Sequence, residues 1–175
     1  MILPRHYEYS AFLPAPPRAV FDYLDDHAQL SSHMSESSWM MGKGRMSIEV
    51  DRGGGRRLGS EIRLSGRVLG AELSVTESVI ERDPPRIKIW QTTGSPRLLI
   101  VGHYRMGFQI GAEPGGSMLT VFIDYALPQF GPARWLGRLL GAFYARWCTQ
   151  QMGEGAKRHF VEVAAPAVQN VSRLE

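Results

Sequence analysis

The stretch Pro132–Ala164, PARWLGRLLGAFYARWCTQQMGEGAKRHFVEVA, decides how the rest of the chain must be arranged. Trp135, Leu136, Leu139, Leu140, Phe143 and Trp147 recur at steps of three and four residues. At about 100° per residue they fall within one apolar arc roughly 140° wide, with Arg134, Arg138 and Ala145 on the opposite side. Pro132 suits a first helical turn, where its missing N–H is no loss. The segment reads as a helix well beyond the usual length of about 11–12 residues. A helix carrying two of the chain's four tryptophans on one arc demands a large apolar partner. Everything before it reads mainly as strands, so the expectation is a sheet wrapped around this arc with an apolar cavity between them.

Working back from the helix, strand alternation recurs at hairpin spacing. Arg5–Leu13 alternates with Tyr7, Tyr9, Ala11 and Leu13 on one side, and Pro14, Pro16 and Pro17 end it. From Pro17 the pattern turns helical, with Val20, Phe21 and Leu24 on one face, and a second short helix is expected over Asp26–Met34. Ser31–Gly44 reads as a loop that brings Met40 and Met41 to the cavity mouth. Lys43–Asp51 is the second strand, turned by Gly53-Gly54-Gly55. Leu58–Val68 follows with Leu58, Ile62, Leu64 and Val68 inward, and Gly70 turns it. Ala71–Glu81 sends Leu73, Val75 and Val79 inward, and Asp83-Pro84-Pro85 stops it. Ile87, Ile89 and Gln91 are expected inward on the next strand, turned by Gly94-Ser95-Pro96. Leu98–Ile110 alternates cleanly, with Tyr104, Met106, Phe108 and Ile110 inward. After Pro114-Gly115-Gly116, Leu119, Val121, Ile123, Tyr125 and Leu127 complete the last strand. Short connections between alternating strands predict an antiparallel sheet with one buried face. The order predicts an α+β fold: one strand, two short helices, six strands, one long helix.

Composition sets the bounds. The 175 residues fit one domain, 1–175, with residues 165–175 expected as a loose tail, and 43% hydrophobic and 21% charged residues are ordinary for a globular chain. A net charge of +3 with scattered arginines gives no nucleic-acid footprint, though a weak contact with anionic lipid fits it. One cysteine allows no internal disulfide, which points to a reducing compartment and a cytoplasmic location. No signal peptide and no run long enough to span a membrane is read.

These elements and phrases resemble the SRPBCC (START-like, helix-grip) superfamily, in its polyketide cyclase/dehydrase and lipid-transport-like branch. Phe12-Leu13-Pro14-Ala15-Pro16-Pro17-Arg18-Ala19-Val20-Phe21-Asp22-Tyr23-Leu24 looks like its first strand running into a proline-initiated helix. Gly59-Ser60-Glu61-Ile62 looks like its third strand, and Val79-Ile80-Glu81-Arg82-Asp83-Pro84-Pro85-Arg86 is similar to its strand-ending turn. The likeness runs from about residue 5 to residue 162. It implies the helix-grip fold, a curved seven-stranded antiparallel sheet around the long C-terminal helix, with a ligand cavity between them. It also brings possible activities: polyketide cyclisation or dehydration, lipid or quinone binding and transfer, and hormone binding. Fold alone does not select among these.

The chemistry-bearing residues are read mostly as structural. His103 is expected to face solvent, His27 and His33 to sit near the mouth, and His6 and His159 near element ends. A histidine at the mouth suits general acid or base work because it titrates near neutrality. No metal-ligand spacing is present, so no metal is expected. Cys148 reads as a small hydrophobe rather than a nucleophile, since no partner sits nearby in sequence. Glu154 is either half of an exposed pair with Arg158 or a cavity carboxylate with a raised pKa. Tyr104 and Tyr125 are the polar cavity groups of choice, as core hydroxyls or as donors to a ligand carbonyl.

The resulting expectation is a carrier or sensor that binds a small hydrophobic molecule, such as a lipid, a quinone or a polyketide-like compound. The lining would be Tyr9, Ile62, Leu64, Leu73, Val75, Ile89, Gln91, Tyr104, Met106, Phe108, Val121, Ile123, Tyr125, Leu136, Leu139, Leu140, Phe143 and Trp147. Catalytic residues, a cofactor and a nucleic-acid partner are not expected, and the balance is against an enzyme. The alternative is a cyclase or dehydratase on an aromatic or polyketide intermediate, which needs little beyond a shaped cavity and tyrosine donors. A third is a protein-interaction module with a residual cavity.

Overall fold

The computed structural model of the chain describes residues 2–26, 46–68, 71–128 and 131–169. The expected second short helix, the Ser31–Gly44 loop with Met34, Met40 and Met41, the Gly70 turn, and His27 and His33 lie outside the described residues. Among the described residues, seven strands, β1 (Arg5–Leu13), β2 (Met46–Val50), β3 (Glu61–Val68), β4 (Ala71–Asp83), β5 (Ile87–Arg97), β6 (Tyr104–Glu113) and β7 (Gly116–Tyr125), accompany helices α1 (Pro17–Asp25) and α2 (Gly131–Gln169). All pairings are antiparallel, in the order β1-β7-β6-β5-β4-β3-β2. The first strand therefore closes against the last, and α2 packs across β1 and β7. This is the helix-grip α+β architecture the sequence predicts.

Local chemistry accounts for the elements. Pro17 opens α1 directly after an extended Pro16, using a residue whose missing N–H costs a helix nothing there. Asp51 folds the β2–β3 turn by accepting from the Gly53 and Glu61 backbone N–H groups at 2.9 and 3.1 Å, as turn aspartates do. Those bonds, that to Glu61 first, hold its carboxyl below the usual range. Gly115, with φ of 81°, makes the tight β6–β7 hairpin that pairs Glu113 with Gly116.

The main core joins Leu13, Val20, Phe21, Leu24, Trp90, Phe108, Leu119 and Val121 to Met152, Ala156 and Phe160 of α2. Phe108 lies edge-on to both Phe21 (5.5 Å) and Trp90 (6.4 Å), a favoured aromatic geometry. A second cluster under β3 and β4 holds Ile62, Leu64, Val75 and Val79. A third gathers Val101, Ile123, Tyr125 and Ala145.

Three sequence expectations need correction. The Gly94-Ser95-Pro96 turn is absent: β5 continues to Arg97, Gly94 takes a left-handed φ of 65° within it, and residues 98–103 form the connection to β6 instead of strand. The inward phase of β5 is the opposite of the one expected. Register pairs Lys88 with Phe108 and Trp90 with Met106, so Lys88 and Trp90 face the core, while Ile89 and Gln91 face outward. Hydrophobicity misleads here because Lys88 turns inward to meet a carboxylate, and Ile89 is buried on the outer side beside Phe122, across Gly107.

The third correction concerns α2, which presents the other side of its first half to the sheet. A Cβ at Gly137 would stand 2.7 Å from Pro128 Cδ and 2.8 Å from the Ile100 carbonyl oxygen. One at Gly141 would stand 2.8 Å from Leu127. With buried Ala145, these residues form the contact side, and the bulky arc points away. Close approach by small residues therefore beats burial of large ones. Gly137→Ala is accordingly expected to lower stability by about 1–3 kcal/mol by overpacking, despite the roughly 1 kcal/mol that alanine gains as a helix former. Denaturant titration of the two proteins measures it. A more stable variant would mean that α2 does not rest on Ile100 and Pro128.

Candidate functional site

The concave face of the sheet brings together most of the predicted lining: Tyr9, Ile62, Leu64, Val75, Tyr104, Met106, Phe108, Val121, Ile123 and Tyr125, with Leu73 in phase with Val75. It does not include Ile89 and Gln91, which lie on the outer face, where Gln91 borders a shallow hollow with Leu3, Arg105 and Asp124. Leu136, Leu139, Leu140 and Phe143 are also elsewhere, exposed on α2. Trp147 is half-buried, its ring 6.1 Å from that of Tyr144.

Within this apolar face lies a polar cluster that alternation alone could have flagged. Glu77 stands between Val75 and Val79, both inward, so it must point inward too, and it is buried. The Tyr104 hydroxyl donates to its Oε1. Burial pushes the Glu77 carboxyl up to about 7, against hydrogen bonds from Tyr104 and Trp90 and the charge of Lys88, which hold it down. Near neutral pH it is thus divided between acid and carboxylate forms. Burial and the Glu77 charge raise Tyr104, so its phenol stays protonated. From α2, Tyr144 and Cys148 close the cluster, hydrogen-bonded to each other. Burial drives the Cys148 thiol to about 12, which makes it a poor nucleophile.

A second carboxylate meets the concave face from α2. The Tyr9 ring lies over Gly153, where a Cβ would come within 2.5 Å of it. That brings the Tyr9 hydroxyl to donate to Glu154 Oε1, an arrangement that raises the phenol to about 12. Of the two readings of Glu154, neither an Arg158 pair nor a free cavity base describes this contact: the carboxylate is half-buried and taken by Tyr9.

A third polar group is structural. Lys88, fully buried, donates to Asp25 Oδ1 at 2.7 Å, and Arg82 Nη2 donates to Asp25 Oδ2 at 2.7 Å. Burial alone would raise Asp25, but hydrogen bonds from Arg82 and Lys88 outweigh it and hold the carboxyl low. Burial pulls the Lys88 ammonium down to about 8, with Asp25 opposing. At neutral pH the pair is ionised and locks the end of α1 to β5.

The histidines do other work. His103 is half-buried, its Nδ1 3.2 Å from Thr92 Oγ1, where solvent exposure was expected. His6 stands 2.7 Å from Asp124, which, as the largest influence, raises it. His159 stacks on Tyr23 at 4.2 Å. Among the described residues no group of three His, Cys, Asp or Glu side chains comes together to hold a metal ion. Among them no helix is long and apolar enough to cross a membrane.

Comparison with known proteins fits this geometry. A family model described as polyketide cyclase / dehydrase and lipid transport matches residues 4–160. No curated protein sequence matches the chain. Among solved structures, an aromatase/cyclase from a Streptomyces species superposes with a TM-score of 0.60 at 18% identity, covering 88% of this chain and 94% of its own. A norcoclaurine synthase point mutant from Thalictrum flavum, in complex with a transition-state analogue, gives 0.62 at 12% identity, covering 91% and 96%. A protein from Thermus thermophilus gives 0.62 at 16% identity, covering 91% and 99%. At these identities the structural likenesses establish the fold.

Proposed function

This chain belongs to the polyketide cyclase / dehydrase and lipid transport family, and from that premise we propose that it binds a small hydrophobic molecule between the concave face of its sheet and α2, as a carrier or sensor. The observation that carries this reading is the buried Glu77–Tyr104 pair beside the apolar cluster of Ile62, Leu64, Val75 and Val79. A few convergent polar groups on apolar walls are what fix a greasy ligand's orientation. The apolar walls, from Ile62 to Ile123, supply affinity by removing ligand surface from water. Glu77 and Tyr104 meet the ligand's one carbonyl or hydroxyl, which would otherwise be buried without a partner. The test is titration with an anilinonaphthalene sulfonate probe, competed by aromatic ketones, with native mass spectrometry for a co-purified ligand. Tyr104→Phe is expected to weaken the best ketone competitor by about tenfold. Absence of saturable probe binding removes the reading, and unchanged competition removes the role of the pair.

The same pair favours a second reading, a cyclase or dehydratase acting on an aromatic or polyketide intermediate. A carboxyl that titrates near 7 can take a proton from the carbon next to a carbonyl and return it later. Once Glu77 holds that proton it can donate to the Tyr104 oxygen, which frees the Tyr104 hydroxyl proton for the oxygen on which charge develops. The two readings part on turnover: a carrier releases its ligand unchanged.

A further inference from the structure

The first half of α2 exposes a broad apolar face. Trp135 is 70% exposed, Leu139 76% and Phe143 56%, with Leu136 and Leu140 beside them. The exposure follows from packing. The Gly137 and Gly141 side of the helix is seated on Pro128, Ile100 and Leu127 with no room for a Cβ, so the helix cannot roll to hide its large side chains. At about 100° per residue the exposed set centres about 150° round from that seat. From residue 125 to residue 153 the sequence has no aspartate or glutamate, and α2 carries Arg134, Arg138 and Arg146 in that span. All three are exposed. Arg146 lies on the apolar face, about 20° round from Trp135, while Arg138 lies about 60° beyond Trp135 on the other side, toward the buried Ala145.

We propose that this face docks the protein on an anionic lipid bilayer surface, with Trp135, Leu139 and Phe143 entering the interface and Arg138 and Arg146 meeting lipid phosphates. A fixed, rigid helix with apolar bulk on one side and cations around it is the form of an interfacial membrane helix. Arginine heads reach the phosphates while their stems lie along apolar surface. The charge in this span is of one sign, which suits an anionic surface. The docking rests on the outward side of α2 and is independent of what the concave face binds.

The test is flotation of the full chain with vesicles of phosphatidylcholine alone and of phosphatidylcholine with about a third phosphatidylserine, where each surface arginine contributes appreciably to binding. Binding to the anionic vesicles is expected, about tenfold or more weaker for Arg138→Gln/Arg146→Gln and in high salt, and lost for Trp135→Ser/Leu139→Ser/Phe143→Ser. Because these side chains are exposed, the variants keep the parent's unfolding midpoint, which separates lost docking from lost folding. The proposal is overturned if the parent does not float, if the serine variant floats equally well, or if the parent is a dimer that the serine variant dissolves, since a second copy would then cover the face.

Discussion

Asp25→Ala is expected to lower the stability of the protein by about 3–5 kcal/mol, because it takes a hydrogen-bonded carboxylate away from a fully buried lysine. Lys88 has no exposed surface, and its ammonium reaches Asp25 through both the carboxylate (2.7 Å) and the backbone carbonyl (3.3 Å). With the carboxylate gone, the ammonium loses its 2.7 Å ion pair, while burial already draws it down to about 8. Arg82 fares better, since its side chain is a quarter exposed and stacks over Phe21 at 5.4 Å. The double variant Asp25→Ala/Lys88→Met should therefore recover most of the loss, as an apolar side chain of similar length removes the buried charge itself. Chemical denaturation of parent, single and double variants measures both steps. A single-variant cost below about 1 kcal/mol, or a double variant no better than the single, would show that the ion pair does not secure α1 to the sheet.

That pair also marks where sequence reading reaches its limit. Strand count, the succession of elements along the chain and the gripping of a long helix follow from alternation, turn residues and a 3.6-residue period, so the architecture was legible. The phase of β5 was not. With Ile87, Ile89 and Trp90 in a run, both faces look apolar, and the inward set is decided by a salt bridge from Asp25, 63 residues earlier in the chain. Nor was the face of α2 legible from its apolar arc. What decides it is the room available at Ile100, Leu127 and Pro128, which admits glycine and alanine and excludes leucine and tryptophan. The clue in the sequence was the four-residue spacing of Gly137, Gly141 and Ala145, which reads as a contact stripe once small residues are weighed as well as large ones. Of the site, the apolar concave wall and Tyr104 were read correctly as inward. Glu77 was missed although strict alternation through Val75 and Val79 aims it inward, because a carboxylate is an unusual member of a core face.

Glu77 gives the second large effect. Its carboxyl titrates near 7 in the folded protein against 4.5 ordinarily, and burial is the cause. The folded state thus holds a proton that the unfolded chain releases. Stability from this group is fully present below about pH 4.5 and is lost as the pH rises through about 7, at about 1.4 kcal/mol per unit in between. The parent is expected to lose about 3 kcal/mol between pH 4.5 and 8 relative to Glu77→Gln, whose amide keeps the shape and the contact with Tyr104 but carries no proton to lose. The two proteins should be close in stability at low pH and should diverge above it, the glutamine variant being the more stable at pH 8. Denaturant midpoints at a series of pH values decide it. Parallel curves would mean that Glu77 is already ionised in the folded state, satisfied by Tyr104 and Trp90. The proton shuttle would then be gone, since a carboxylate with an ordinary pKa is a weak base at neutral pH. The carrier reading would survive, because an ionised Glu77 still accepts a hydrogen bond from a ligand hydroxyl. One stability series therefore bears on both proposals: a titration near 7 keeps the cyclase or dehydratase reading open, and its absence leaves binding alone.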